Sequence, residues 1–93
     1  MKKISLILPT LNRKNELYEF LVSIEKQIVP KEWIEIIVVD QNEKGFLDIL
    51  LKKFKNLDII YVHSQKHGLS FNRNIGIAHA TGDVIAFPDD DCM

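Results

Sequence analysis

The chain has 93 residues, 46% hydrophobic and 27% charged, which is the composition of one small globular domain and not of a disordered chain. Its formal net charge of −1 argues against a dedicated nucleic-acid-binding protein, because such domains are clearly basic. The single cysteine, Cys92, excludes an internal disulfide framework and favours a reducing, cytoplasmic location. No apolar run approaches the length that spans a bilayer, so we expect a soluble protein.

The first half of the chain alternates strand and helix patterns. Residues 4–8 form a short apolar run that predicts a strand. An apolar stripe at steps of three and four then predicts a helix over about residues 13–27, with Asn12 as its N-cap; the stripe consists of Leu17, Leu21, Ile24 and Ile28. Residues 34–39 predict a second strand, which is apolar throughout apart from Glu35. Such a continuous run is typical of a strand whose two faces are both covered.

The second half repeats this alternation. A second helix is predicted by the apolar spacing of Phe46, Ile49, Leu50 and Phe54, and residues 58–62 predict the third strand. A third helix is predicted by Phe71, Ile75 and Ala78, with Ser70 as its N-cap and Gly82 just past its end. Gly76 is interpreted as a helix-packing residue. Residues 83–87 predict the fourth strand.

Alternating strands and helices predict an α/β fold, with a Rossmann-like parallel sheet of about four strands, right-handed crossovers and helices on both faces. Ligands in such folds bind where the carboxyl ends of the strands meet. The sequence stops directly after the fourth strand pattern, which leaves a sheet edge to be covered. We therefore expect either further residues of a longer domain or a second chain, as in a homodimer formed through the uncovered sheet.

Three consecutive carboxylates, Asp89, Asp90 and Asp91, follow the last strand pattern. Carboxylate oxygens are ligands that Mg²⁺ and Mn²⁺ prefer, and Asp89 and Asp91 are spaced to flank one small volume. The alternative is an acidic, solvated loop or a helix N-cap. The triplet alone does not decide between them, but a strand that aims it at the ligand crevice favours the metal site.

Three other polar residues lie near predicted strand or helix ends. Asp40 ends the second strand, where it is placed either to accept an N–H from a base or sugar or to bond its own backbone in a turn. Arg73, near the start of the third helix, is placed either to hold a phosphate or to form a surface salt bridge. Thr10 follows the first strand and has the comparable alternative of a residue that begins the first helix.

Three segments resemble the N-terminal half of a family 2 glycosyltransferase with the GT-A fold. They are "ISLILPTLNR" at residues 4–13, "EIIVVDQN" at 35–42 and "GLSFNRNIGIAHATGDVIAFPDDDC" at 68–92. The third is the most specific, since it combines an Arg-Asn-x-Gly helix, an Ala-x-Gly-Asp turn and an Asp-x-Asp-type motif. Together they span most of the chain in the family's order and spacing.

The resemblance implies a nucleotide-diphosphate sugar as donor, a UDP-sugar first, and a saccharide or lipid-linked acceptor that brings the protein to the inner face of the membrane. It implies a Mn²⁺ or Mg²⁺ ion held by Asp91 and Asp89. The implied contacts to the nucleotide sugar are Pro9 and Thr10 around the base, Asp40 on the base, Arg73 near the diphosphate, and Asp89 and Asp90 near the ribose or sugar.

Two departures from the family pattern bear on function. Many members follow the second-strand Asp with Gly-Ser and another Asp, whereas Asp40 is followed by Gln41 and Asn42. The family's general base and acceptor-binding region lie beyond the Asp triplet, so residues 1–93 are interpreted as the donor-nucleotide-binding part alone. The alternatives are a non-catalytic nucleotide-binding or self-associating module and, less favoured, a metal-dependent phosphatase, which would place an Asp where Pro9 and Thr10 stand.

Overall fold

The computed structural model describes residues 3–11, 14–26, 33–43, 45, 47–65 and 68–88. Strands and helices alternate along the chain, as the sequence predicts. In chain order they are β1 (Ile4–Thr10), α1 (Lys14–Glu25), β2 (Ile34–Asp40), α2 (Asp48–Lys52), β3 (Asp58–His63), α3 (Leu69–His79) and β4 (Val84–Ala86).

The four strands form one parallel sheet in the order β3-β2-β1-β4. This confirms the predicted parallel α/β architecture. The chain moves outwards from β1 to β2 and β3, and then crosses back over the sheet to place β4 on the other side of β1. The direction of travel therefore reverses between β1 and β4, and in open α/β sheets a crevice for ligands forms at such a point, outside the carboxyl ends of the strands.

Apolar clusters cover both faces of the sheet, which confirms the prediction of helices on both sides. The larger cluster joins β1 and β2 to α1 and α2, and its buried members include Leu8, Leu17, Leu21, Ile36, Val38, Leu50 and Phe54. The smaller cluster is built on Ile7, Ile37 and Val39, with Ile75 of α3 and Phe87 packed against it. The second strand is continuously apolar because its residues alternate between these two clusters.

Two glycines bring backbone segments close together. A side chain at Gly76 would collide with the side chain of Ile7, which confirms that this glycine lets α3 pack directly on β1. Gly82 has a different role from the predicted one. Helix α3 already ends at His79, and a Cβ at Gly82 would lie 2.7 Å from the Lys3 carbonyl oxygen, so the glycine permits close approach to the start of β1.

Several predicted boundaries need correction. Ser70 is not the N-cap of α3, because the helix begins at Leu69 and Gly68 precedes it with a φ of 138°, a conformation that favours glycine. Helix α2 has only 5 residues and β4 only 3, both shorter than predicted. Phe54 is nevertheless buried beyond the end of α2. The predicted N-cap Asn12 and the stripe residues Ile28 and Phe46 lie outside the described residues.

The β4 strand is the more exposed edge of the sheet. Val84 and Ile85 are 41% and 40% exposed, and among the described strands β4 pairs with β1 alone. Within the described parts of the chain, no helix is long and apolar enough to cross a membrane.

Candidate functional site

The carboxyl ends of the two central strands bring predicted site residues side by side. Thr10 and Asp40 are register partners, and the N–H of Gln41 donates to the Thr10 carbonyl at 2.9 Å. Thr10 is only 4% exposed, and its hydroxyl has no hydrogen-bond partner among the described residues. Pro9 precedes it and is half-buried. A buried hydroxyl without a partner is costly, so this edge of the sheet has a polar group for a ligand or water to satisfy.

The Asp40 carboxylate is fully buried and accepts three hydrogen bonds. Its Oδ1 accepts the backbone N–H of Asn42 at 2.9 Å and the side-chain amide of Asn42 at 2.8 Å. Its Oδ2 accepts the Tyr61 hydroxyl at 2.6 Å. The bond to the backbone two residues on confirms the turn interpretation of Asp40. An ionised carboxylate has about four lone-pair positions, so the described residues occupy three of them and leave one on Oδ2.

Neighbouring residues of β3 complete this arrangement. His63 Nε2 lies 2.9 Å from the Asn42 carbonyl oxygen, and the N–H of Ser64 donates to the Asp40 carbonyl at 2.8 Å. Burial, together with the hydrogen bond to Asp40 and the negative charge of that carboxylate, raises the pKa of Tyr61, so its hydroxyl stays a donor. We call Asp40, Asn42, Tyr61 and His63 the carboxyl-end cluster.

Asn42 and Tyr61 are not among the site residues that the sequence predicts. The sequence contains one local indication of their position. Tyr61 and His63 are two residues apart in β3, so their side chains lie on the same face of the sheet. Their contact with Asp40 and Asn42 depends on the register of β3 against β2, in which Val38 pairs with Tyr61.

Arg73 lies against the segment that leaves β4. Its guanidinium carbon is 5.0 Å from the centroid of the Phe87 ring, a cation–π contact between α3 and the residue after β4. The predicted ligands Asp89, Asp90 and Asp91 follow this point and lie outside the described residues. Within the residues that are described, no group of three His, Cys, Asp or Glu side chains is placed to hold a metal ion.

A second polar cluster lies at the opposite, amino end of the sheet. Glu35 is 2% exposed and accepts the Ser5 hydroxyl at 2.6 Å, the Thr81 N–H at 2.7 Å and the Thr81 hydroxyl at 2.7 Å. The Lys3 ammonium lies 3.6 Å away. We call Lys3, Ser5, Glu35 and Thr81 the amino-end cluster. Its sequence signal was the lone charge in the apolar run of β2.

The pKa of Glu35 results from opposing effects. Burial raises it, but the hydrogen bonds from Ser5 and Thr81 and the charge of Lys3 outweigh burial and lower the pKa to about 2. Glu35 is therefore ionised and fully engaged in structure at neutral pH.

Comparison with known proteins identifies the family. The model of Glycosyl transferase family 2 matches residues 5–93. The chain belongs to this family. It is 38% identical over 93 residues to the poly(ribitol-phosphate) beta-glucosyltransferase of Bacillus spizizenii, a match that covers 96% of this chain and 15% of that protein. The resemblance found in the sequence is thus confirmed.

Solved structures agree with the fold. The Staphylococcus aureus protein TarS superposes with a TM-score of 0.81 and 31% identity, over 91% of this chain and 26% of that one. The mannosyltransferase PcManGT from Pyrobaculum calidifontis, solved with GDP-Man and Mn²⁺, gives a TM-score of 0.79 and 23% identity, over 95% of this chain and 28% of that one. The chain has the expected fold of the N-terminal part of GT-A glycosyltransferases, and it spans no more than about a third of the relatives it matches.

Proposed function

We propose that residues 1–93 are the donor-nucleotide-binding part of a glycosyltransferase that takes a sugar from a nucleotide-diphosphate sugar to an acceptor hydroxyl. The observation that carries this proposal is the pairing of Thr10 with Asp40 at the carboxyl edge of the sheet, beside the point where the strand order reverses. Family membership over residues 5–93 supports the same reading. Acceptor binding and the general base belong to the remainder of a longer protein.

The base of the nucleotide is proposed to bind between Pro9, Thr10 and Asp40. A carboxylate with one acceptor position open selects a base that presents an N–H, as uracil does at N3 and guanine at N1. Cytosine and adenine present an acceptor nitrogen at the corresponding position. Two acceptors, the ring nitrogen and the Asp40 carboxylate, would then face each other without a hydrogen bond. The family resemblance implies uridine first, and guanosine is the base that the same carboxylate also fits.

The proposed cation is Mn²⁺ or Mg²⁺. The sequence supports it, because Asp89, Asp90 and Asp91 begin two residues after Phe87, whose ring Arg73 contacts, and these ions prefer carboxylate ligands. Asp91 and Asp89 are the proposed ligands, and Asp90 with Asp89 is proposed to approach the ribose or sugar. When bound, the ion neutralises negative charge on the departing diphosphate. Arg73 is proposed to add a positive charge near the same group.

The acceptor is proposed to be a saccharide or a lipid-linked saccharide, handled at the inner face of the membrane. The name of the Bacillus spizizenii relative gives poly(ribitol-phosphate) as the polymer on which that protein acts. A polymer of that kind is a candidate acceptor class for the longer protein.

Calorimetry with uridine diphosphate tests the donor site. We expect binding in Mn²⁺, none in chelator, and loss of binding in Asp91→Asn, because the diphosphate and the ion bind together. The matched control is Glu19→Gln, which removes an exposed carboxylate from α1 and leaves binding intact. Equal binding with and without metal would refute the cation site. If the folded chain binds neither uridine nor guanosine diphosphate, the donor function is wrong.

A second candidate is a non-catalytic module that associates with another copy through β4. The exposure of Val84 and Ile85 on an edge strand favours it, because unpaired strand edges are templates for pairing. Sedimentation velocity at high concentration tests it. A dimer that Ile85→Lys dissociates supports the candidate, and a strictly monomeric chain rules it out.

A further inference from the structure

The strand that leads to the acidic triplet is held by few contacts of its own. β4 is only 3 residues long and pairs with β1 at Ile4↔Val84, Ser5↔Ile85 and Leu6↔Ala86. Among the described residues its outer edge has no neighbouring strand, and two of its three side chains are about two-fifths exposed. Three paired residues give β4 few register-specific contacts, and a slip of one residue would turn every side chain to the other face.

The turn before β4, residues 81–83, fixes the position of the strand through hydrogen bonds. Thr81 binds Glu35 through both its N–H and its hydroxyl, and the N–H of Gly82 donates to Ser5 Oγ at 2.9 Å. The Asp83 carboxylate accepts the backbone N–H of Lys3 at 3.1 Å, and the Asp83 N–H donates to the Lys3 carbonyl at 2.7 Å. Each residue of the turn is thus bonded to the start of β1 or to β2.

Glu35 is the centre of this arrangement. Its carboxylate accepts hydrogen bonds from Ser5 of β1 and from Thr81 of the turn. The Ser5 hydroxyl oxygen in turn accepts the N–H of Gly82. The glycine is needed because a Cβ there would lie 2.5 Å from Ser5 Oγ. The same carboxylate therefore fixes where the turn sits against both central strands.

We propose that Glu35 is a positioning residue, which sets the register of β4 and thereby the place where Asp89, Asp90 and Asp91 meet the donor. This inference rests on the proposed function for its last step. The chain from Glu35 to the triplet runs through Thr81, the three paired residues of β4 and the Phe87 ring. Glu35 itself lies at the amino end of the sheet, opposite the proposed donor site.

Amide hydrogen exchange tests the anchoring without any ligand. In Thr81→Val, which keeps the shape and the N–H but removes the hydroxyl donor, we expect residues 84–86 to exchange about tenfold faster, the effect of losing one hydrogen bond. Glu35→Gln is expected to do the same or more. Thr81→Ser keeps a hydroxyl and is expected to retain the wild-type exchange rates. Unchanged exchange at 84–86 in both Thr81→Val and Glu35→Gln would overturn the proposal.

Nucleotide binding separates positioning from a general loss of stability. Leu50→Ala is the matched control, since Leu50 lies in the cluster on the α1–α2 face and its truncation lowers global stability. Comparison is made under conditions where all variants are fully folded. Affinity for uridine diphosphate with Mn²⁺ is expected to fall about tenfold in Thr81→Val and Glu35→Gln, and to be unchanged in Leu50→Ala and Thr81→Ser.

The two proposals fail in different ways. An equal loss of affinity in Leu50→Ala would reduce Glu35 to a stability residue and overturn the positioning role. A wild-type chain that binds no nucleotide refutes the donor function and, with it, the last step from β4 to the donor. The exchange rates at 84–86 then still decide whether Glu35 sets the register of β4.

Discussion

Strand β2 carries a buried carboxylate near each end, and the two are used differently. Glu35 is 2% exposed and Asp40 is 0% exposed, so burial does not distinguish them. The donors to Glu35 come from β1 and from the turn before β4. The donors to Asp40 come from Asn42, just after it in the chain, and from Tyr61 on the adjacent strand. The origin of the donors, and not the burial of the charge, shows which carboxylate joins distant segments of the fold.

This difference fits the general logic of parallel α/β sheets. Residues at the carboxyl end face the ligand crevice, whereas residues at the amino end lie away from it. Glu35 therefore has every oxygen engaged by the frame, while the Asp40 carboxylate keeps an acceptor position and lies beside the unpartnered hydroxyl of Thr10. Changes at the amino end are expected to act first on folding, and changes at the carboxyl end first on binding.

The largest effect is expected from Glu35→Ala. It removes the acceptor for three hydrogen bonds and leaves the buried Ser5 hydroxyl and two donors of Thr81 without their partner, so the free energy of unfolding is expected to fall by about 4 kcal/mol. Urea denaturation measures it. The control is Asp58→Ala, which removes the other ion-pair partner of Lys3 but from a half-exposed position, and is expected to cost less than about 1 kcal/mol. Similar losses of unfolding free energy in Glu35→Ala and Asp58→Ala would contradict the structural role of Glu35.

Acid unfolding is expected to show the next largest effect. The pKa of Glu35 is lowered from 4.5 to about 2, so its contribution to stability is complete above about pH 5 and is lost as the pH falls towards 2. The shift corresponds to roughly 3 kcal/mol. Urea unfolding of the wild type and of Glu35→Gln across this pH range measures the contribution of the Glu35 charge to the free energy of unfolding. The stability difference between them is expected to shrink as the pH falls, and a constant difference would refute the lowered pKa.

The fold was largely predictable because it depends on periodicity. The apolar spacing gave the order of strands and helices, and Gly76 was correctly expected to pack a helix. The ends of elements were less predictable, since they depend on backbone conformation and tertiary contact. Gly68, and not Ser70, precedes α3, because its φ of 138° favours glycine. Gly82 is required by the close approach of the chain to the backbone at the start of β1, and not by the end of the helix.

The site was predictable only where strand ends alone define it. Thr10 and Asp40 meet because parallel strands end at one edge. The bond between Tyr61 and Asp40 depends on how β3 aligns with β2, and the role of Thr81 depends on how the last turn meets Glu35 across the sheet. Neither alignment can be predicted from the residues near Tyr61 or Thr81 alone, because both depend on how distant segments pack. The role of Asp89, Asp90 and Asp91 stays a prediction.

A smaller effect on stability, but a larger one on binding, is expected from Asp40→Asn. The Asn side chain keeps its size, its oxygen can still accept from Asn42, and its amide can donate to the Tyr61 hydroxyl. Only the strength that the negative charge adds is lost, about 1–2 kcal/mol of unfolding free energy. Affinity for uridine diphosphate is expected to fall at least about tenfold, because the amide that replaces Oδ2 is a donor and takes away the acceptor position left for the base N–H. Calorimetry that finds unchanged affinity would remove Asp40 from the base site.

The smallest effect is expected from Tyr61→Phe. Tyr61 is 38% exposed and Asp40 keeps both bonds from Asn42, so the loss is about 1 kcal/mol or less. Removing the hydroxyl also opens Oδ2 to a ligand N–H, so the affinity for uridine diphosphate is expected to hold or rise. A marked fall in affinity would mean that Tyr61 orients Asp40 much as Thr81 is proposed to orient β4. The two ends of β2 would then differ only in what they position, and not in whether their carboxylates are free to bind.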